Sequence, residues 1–286
     1  MKFHRAYIEI TNICGLSCSF CPEKINPTQT MSLNNFEDIL IQLKHYTNEI
    51  ALHVMGDPLT LSNISEYLDI AKKHEFKVVI TTSGYYLNKH KNIFHQSLKQ
   101  LNISLNSFNK NAQKCTFDEY MQGIFDTCKK RKDENIFINL RLWNLDENGS
   151  ENNYNTLIFQ KLQKHFMVEF PKDILINTPK SIRLAKKILL HFDSYFEWPS
   201  LKNTILTDGF CHGLSSQIAI LVDGRVVPCC LDSDGVIELG NLNTTNLKEI
   251  LNTQRVKNIT ESFKNNKAYE KLCQKCRYKD RFNAIL

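Results

Sequence analysis

The sequence has 286 residues, 42% hydrophobic and 23% charged, with 36 Lys and Arg against 30 acids for a formal net charge of +6. This is the balance of a folded chain rather than a disordered one, and the length suits one large domain or a large one with a small appendage. No apolar run approaches the ~18–20 residues that span a bilayer, and Met1-Lys2-Phe3-His4-Arg5 opens no signal-peptide core, so a cytoplasmic protein without membrane contact is expected.

The first strand is read at Ala6 to Ile10, followed by a loop holding Cys14, Cys18 and Cys21. Leu33, Phe36, Ile39, Leu40 and Leu43 recur at helical spacing after Ser32, a residue that caps helices. Ile50 to Val54 reads as the second strand, and Asn63 to His74 as the next helix. Further strands are expected at Lys77 to Thr81, Leu101 to Leu105 and Ile136 to Leu142, with helices over Phe117 to Lys130 and Asn153 to His165, and a short sixth strand near Val168. Strand and helix alternating at this length imply a parallel sheet, because parallel neighbours need a crossover of about a dozen residues. The loops after the strands then share one face, where such folds place their chemistry.

Residues 171–210 form a connecting segment in which Ser181 to Phe192 reads as helical. From Cys211 the character changes: Gln217 to Val222, the turn Asp223-Gly224 and Arg225 to Val227 predict a β-hairpin. A helix over Asn246 to Phe263 and the pair Cys273-x2-Cys276 follow. The basic excess is spread over both halves, so no basic face is marked out and no nucleic-acid partner is expected.

The sequence has 10 cysteines. In a reducing compartment, grouped cysteines read as metal ligands or catalytic thiols rather than disulfides. Cys14-x3-Cys18-x2-Cys21 can bind three irons of a [4Fe–4S] cubane and leave the fourth without a protein ligand. Zinc competes, but a structural zinc wants four closed ligands. The segment Cys14-Gly15-Leu16-Ser17-Cys18-Ser19-Phe20-Cys21 resembles the CxxxCxxC signature of the radical S-adenosylmethionine (SAM) enzymes, with Phe20 at that family's usual aromatic position. The resemblance implies that SAM chelates the open iron, that an electron from the cluster cleaves it to a 5′-deoxyadenosyl radical, and that this radical abstracts a hydrogen atom from substrate.

Gly56-Asp57-Pro58 resembles the family's Gly-Gly-Glu-Pro turn, which binds the SAM amino group; Asp57 keeps a carboxylate there with a shorter reach. Thr82-Ser83-Gly84 resembles a Thr-Asn-Gly strand end, and Ser104-Leu105-Asn106 a Ser-Leu-Asp segment that contacts SAM, with Asn106 in place of the acid. Arg141, at the end of the fifth strand, is a candidate for the SAM carboxylate, with a substrate-facing role as the alternative.

Cys211, Cys229, Cys273 and Cys276 form a second set, and four cysteines with one CxxC suit either a second [4Fe–4S] cluster or zinc. The pattern C-x12-G-x4-C with a distant CxxC resembles the SPASM extension of radical SAM enzymes, in the shortened "twitch" form with one auxiliary cluster. Family spacing selects Cys229 over the adjacent Cys230 as the ligand. The two resemblances imply a partial (β/α)6 barrel over 1–170, the connecting segment, and an α+β twitch module over 211–286. They also imply a reductant such as flavodoxin or ferredoxin. An auxiliary cluster that accepts the substrate radical's electron makes a two-electron oxidation. The expected substrate is a small polar metabolite or sugar; modification of a peptide side chain is the alternative, followed by RNA modification or a non-catalytic cluster protein. Tyr85, Tyr86, Trp143, Arg183, Trp198 and the general base are left unassigned.

Overall fold

The computed structural model describes residues 1–90, 93–108, 114–131 and 135–283. The first half runs β1 (Arg5–Ile8), α1 (Leu33–Leu43), β2 (Glu49–Ala51), α2 (Ile64–Lys73), β3 (Lys77–Thr82), β4 (Leu98–Ser104), α3 (Phe117–Lys130), β5 (Phe137–Leu145) and α4 (Asn152–Phe166). The second half adds β6 (Ser181–Ala185), β7 (Ile188–Ser194), β8 (Gln217–Ile220), β9 (Arg225–Val227) and β10 (Gly240–Asn241). The helices α5 (Leu247–Leu251), α6 (Gln254–Lys264), α7 (Lys271–Gln274) and α8 (Asp280–Asn283) complete it.

Local chemistry starts the main helices where the sequence places them. The Ser32 side chain accepts from Asn35 N–H at 3.1 Å at the start of α1, whose Phe36, Ile39, Leu40 and Leu43 are buried. Thr116 and Glu119 form a reciprocal capping box for α3.

The ten strands make one sheet in the order β10-β9-β8-β1-β2-β3-β4-β5-β7-β6. From β8 to β7 every neighbouring pair is parallel, and antiparallel strands flank both ends. One face of the sheet, including Ala6, Ile8, Ile80, Ile103, Leu140 and Leu190, belongs to the main apolar core with the helices. The other, inner face carries a polar stretch on β3 to β5 beside a small apolar cluster of Val54, Ala219, Leu221 and Val227. Gln100 donates to Asn102 Oδ1 at 2.7 Å, Asn102 donates to Thr81 Oγ1 at 3.1 Å, and Asn139 donates to Asn102 Oδ1 at 3.3 Å. The sheet does not close on itself: β10 and β6 are its two edges, as suits an open partial barrel.

Two helix assignments are corrected. Ser181 to Phe192 is the hairpin β6–β7, turning at Lys187 with φ +60°, and β7 rather than a strand near Val168 is the sixth strand of the parallel series after β1 to β5. Leu184, Ile188, Leu190 and Phe192 are buried at alternating strand positions, but the same run also carries apolar residues three and four apart, so its periodicity is ambiguous. The helix expected over Asn246 to Phe263 breaks at Asn252-Thr253, where the Thr253 side chain caps α6 by accepting from Val256 N–H. The hairpin β8–β9 forms as expected, and β8 pairs in parallel with β1, joining the C-terminal region to the core sheet.

Candidate active site

The first cysteine loop leaves the end of β1 and is tied back on itself. Asn12 donates to Pro27 O at 2.8 Å and accepts from Gln29 N–H at 2.8 Å, and Lys24 donates to the Asn12 carbonyl at 2.6 Å. Cys21 N–H donates to Cys18 O at 3.1 Å. The Cys18 and Cys21 thiols share a hydrogen bond that pushes Cys18 up and Cys21 down, while burial and then Asp57 raise Cys14. The loop needs glycine at position 15: φ is +73°, and a Cβ there would lie 1.9 Å from the Tyr86 hydroxyl.

The Gly56-Asp57 turn packs directly under this loop. Gly56 has φ +26°, a Cβ there would lie 2.2 Å from Thr11 O, and Asp57 N–H donates to Ile13 O at 2.8 Å. Asp57 is buried. Its Oδ1 accepts from Leu59 N–H at 3.0 Å, and its Oδ2 accepts from the Thr82 hydroxyl at 2.9 Å, Ser83 N–H at 2.9 Å and the Ser83 hydroxyl at 2.7 Å. Burial, the largest influence, raises its pKa against these donors. Asp57 and Ser83 therefore bind each other, which leaves one lone pair of Oδ1 for an outside donor.

Ser104, Leu105 and Asn106 lie on the other side of the loop. Cys18 Sγ is 3.8 Å from Ser107 O, and Tyr154 donates to Leu105 O at 2.7 Å. Asn106 is buried with its Oδ1 lacking a hydrogen-bond partner among the described residues. An orphaned buried acceptor beside the three-thiol loop is a fit for a polar ligand such as SAM. The Phe20 ring lies 5.5 Å from that of Tyr195, just past β7. A cavity of about 650 Å³ opens against the loop, lined by Gly15, Ser17, Tyr85, Tyr86, Lys89 and Tyr120 among others.

Arg141 sits in register with Ser104 on one side and His191 on the other. Its guanidinium is 4.4 Å from the Trp143 ring, and Trp143 Nε1–H donates to His191 Nδ1 at 3.0 Å. Burial, opposed by Tyr7, brings Arg141 down to about 10; Arg5, Tyr278 and Cys230 also act on it. His53 makes an edge contact with Tyr7, its Nδ1 is buried without a partner among the described residues, and burial, Arg141 and Arg5 pull it down to about 3. Sequence reasoning missed Tyr7, His53, His191 and Tyr278. The signal available was strand alternation, which puts residues 5, 7 and 9 of the first strand on one face.

The second cysteine set comes together from three segments. Cys229 is shifted well up, first by burial and then by Cys211, Cys230 and Cys273; Cys273 is shifted up by burial, Cys211 and Cys276. Burial pushes Cys211 up to about 11 and also raises Cys276. The four thiols are half-buried and of the residue type that ligates a cluster, although among the described residues no three His, Cys, Asp or Glu side chains stand close enough together to hold a metal ion. Cys230 faces elsewhere, packing with Tyr7 against Val54, Ala219, Leu221 and Val227. Lys279 is buried beside the set, and its ammonium donates to the carbonyls of Leu206 and of Cys273, the latter at 3.1 Å.

The two regions are cross-linked. Glu9 is buried and accepts from Met55 N–H at 2.9 Å and Val222 N–H at 3.2 Å, and Arg225 donates to Asn26 Oδ1 at 2.9 Å. Among the described residues, no helix is long and apolar enough to cross a membrane.

Both regions match known families. The family described as the radical SAM superfamily matches residues 8–150, and SPASM, an iron–sulfur cluster-binding domain, matches residues 211–277. Among solved structures, BtrN in complex with AdoMet and 2-DOIA is similar at 16% identity and TM-score 0.58, over 97% of this chain and 94% of that one. Native anSMEcpe with bound AdoMet is similar at 15% identity and TM-score 0.59, over 96% and 86%. SuiB of Streptococcus suis bound to its precursor peptide SuiA is similar at 12% identity and TM-score 0.60, over 100% and 73%. At these identities the likeness is one of fold. Among curated proteins, none matches the chain by sequence.

Proposed function

The chain belongs to the radical SAM superfamily and carries a C-terminal SPASM iron–sulfur domain, and from this premise we propose that it oxidises a small polar metabolite. When bound, the two clusters and SAM supply hydrogen-atom abstraction and a one-electron acceptor. The observation that carries the substrate reading is the polar stretch of the inner face, where Thr81, Gln100, Asn102 and Asn139 hydrogen-bond one another beneath the strand ends.

The proposed roles follow from position. Cys14, Cys18 and Cys21 hold the SAM-binding cluster, and Cys211, Cys229, Cys273 and Cys276 hold the auxiliary one. Gly56 lets the turn approach the cysteine loop, Asp57 and Ser83 fix that turn against β3, and Ser104, Asn106 and Phe20 flank the place for SAM. Fold likeness to SuiB with its precursor peptide keeps peptide modification as a second reading.

The test is anaerobic iron and sulfide quantitation with a dithionite-driven assay for 5′-deoxyadenosine. Wild type is expected to hold about eight irons and the Cys14→Ala/Cys18→Ala/Cys21→Ala variant about four, with product only from wild type. Wild type with only the first cluster would remove the electron acceptor, and with it the oxidation reading. Turnover of a small polar metabolite then decides against the peptide reading.

A further inference from the structure

Arg5 on β1 and Arg281, which reaches β7, are both paired with carboxylates. Arg5 donates to Glu49 Oε1 at 2.8 Å, in a site that Glu49 shares with Lys99. Arg281 NH1 reaches Asp193 Oδ2 at 2.6 Å. Arg141 is different: among the described residues no carboxylate comes within ion-pair distance of it. Its company is the Trp143 ring, the Tyr7 and Tyr278 phenols, the Cys230 thiol and a second cation, Arg5. His53 and His191, the nearby imidazoles, are both held towards the neutral form, chiefly by burial. Arg141 is half-buried, and a partly desolvated cation without a counter-charge in a cleft favours an anion.

Direction distinguishes between two sources of that anion. The backbone of Arg141 is beside Ser104, but its strongest ionisable neighbours come from β1 and from the C-terminal region, at Cys230 and Tyr278. These residues flank Cys229 and Cys276, on the auxiliary-cluster side, whereas the Asp57 turn and Asn106 surround the first cysteine loop. Trp143, held by its hydrogen bond to His191, lies under the guanidinium, with Cζ 4.4 Å from its ring centroid.

We propose that Arg141, braced on Trp143 among Tyr7, Cys230 and Tyr278, binds an anionic oxygen group of the substrate, a carboxylate or a phosphate, and that the substrate class is an acidic small molecule. The inference rests on the preceding reading of the inner face as a small-molecule site. It moves Arg141 from the SAM carboxylate to the substrate.

The experiment is calorimetric titration of the reconstituted, SAM-saturated holoenzyme with inorganic phosphate and, separately, with acetate. SAM affinity is measured in parallel. Wild type is expected to bind at least one of the two anions at a single site. Arg141→Gln is expected to weaken that binding at least tenfold while SAM affinity stays within twofold, and Arg141→Lys, which keeps the charge but not the fork, to fall between. Absence of binding of both anions by wild type overturns the proposal. A tenfold loss of SAM affinity in Arg141→Gln, whatever happens to the anions, assigns the guanidinium to SAM and also overturns it. Iron content and 5′-deoxyadenosine formation are read independently, so failure here is distinct from failure of the radical SAM reading.

Discussion

The Ser83 hydroxyl and backbone N–H both donate to Asp57 Oδ2, at 2.7 and 2.9 Å. One serine thus satisfies most of one carboxylate oxygen, and the pair ties the loop after β2 to the end of β3. At Ser83 the chain departs from the family's usual asparagine, and at Asp57 from its usual glutamate. The two departures meet in a single contact: a shorter acid reaches a shorter donor.

Asp57→Ala should leave Ser83 N–H and Leu59 N–H buried without acceptors. The expected cost is about 2–4 kcal/mol of stability, read as a lowered urea midpoint for the apo-protein. Because the turn packs against Ile13 in the cysteine loop, SAM affinity should fall as well. A midpoint unchanged from wild type would show that water or a backbone shift replaces the carboxylate.

Cys229 and Cys230 are adjacent and Cys211 acts on both, but Cys273 acts on Cys229, while Cys230 packs with Tyr7 on the inner face. Cys229→Ala should lose about four irons per chain, and Cys230→Ala should keep them. Iron and sulfide analysis of the two reconstituted variants checks this. The reverse pattern would exchange the two residues' roles.

Lys279 is buried next to the second cysteine set, acting on Cys211 and Cys276, with its ammonium held by the Leu206 and Cys273 carbonyls. A buried positive charge favours the more negative, reduced form of a cluster. Lys279→Met should therefore lower the auxiliary midpoint potential, by at least about 60 mV, which is ~1.4 kcal/mol for one electron. A redox titration followed by EPR measures it. A potential that does not move would mean that solvent screens the charge.

Much of the site could be read before any fold was known, because its chemistry lies close together in sequence. Cys14, Cys18 and Cys21 declare themselves by type and spacing, and Thr116 with Glu119 marks the start of α3 by a local bond. Residues 181–192 read as a helix because a short apolar run fits a strand and a helix equally well until its neighbours are known. The inner face was beyond reach for another reason. Tyr7, His53, Arg141 and His191 belong to four strands or their ends, and only the sheet's register makes them neighbours. Arg141 could be singled out, but that no acid among the described residues pairs with it is a property of the whole face.

The parallel pairing of β1 with β8, Arg5 opposite Gln217 and Ile8 opposite Ile220, has a consequence for how the polypeptide is made. When β1 leaves the ribosome, one of its edges waits for a partner encoded some two hundred residues later. Until β8 arrives, that row of amides and carbonyls is open to pairing with other chains. Synthesis pauses after β7 should therefore be the point of greatest aggregation risk, and completion of the C-terminal hairpin the event that ends it.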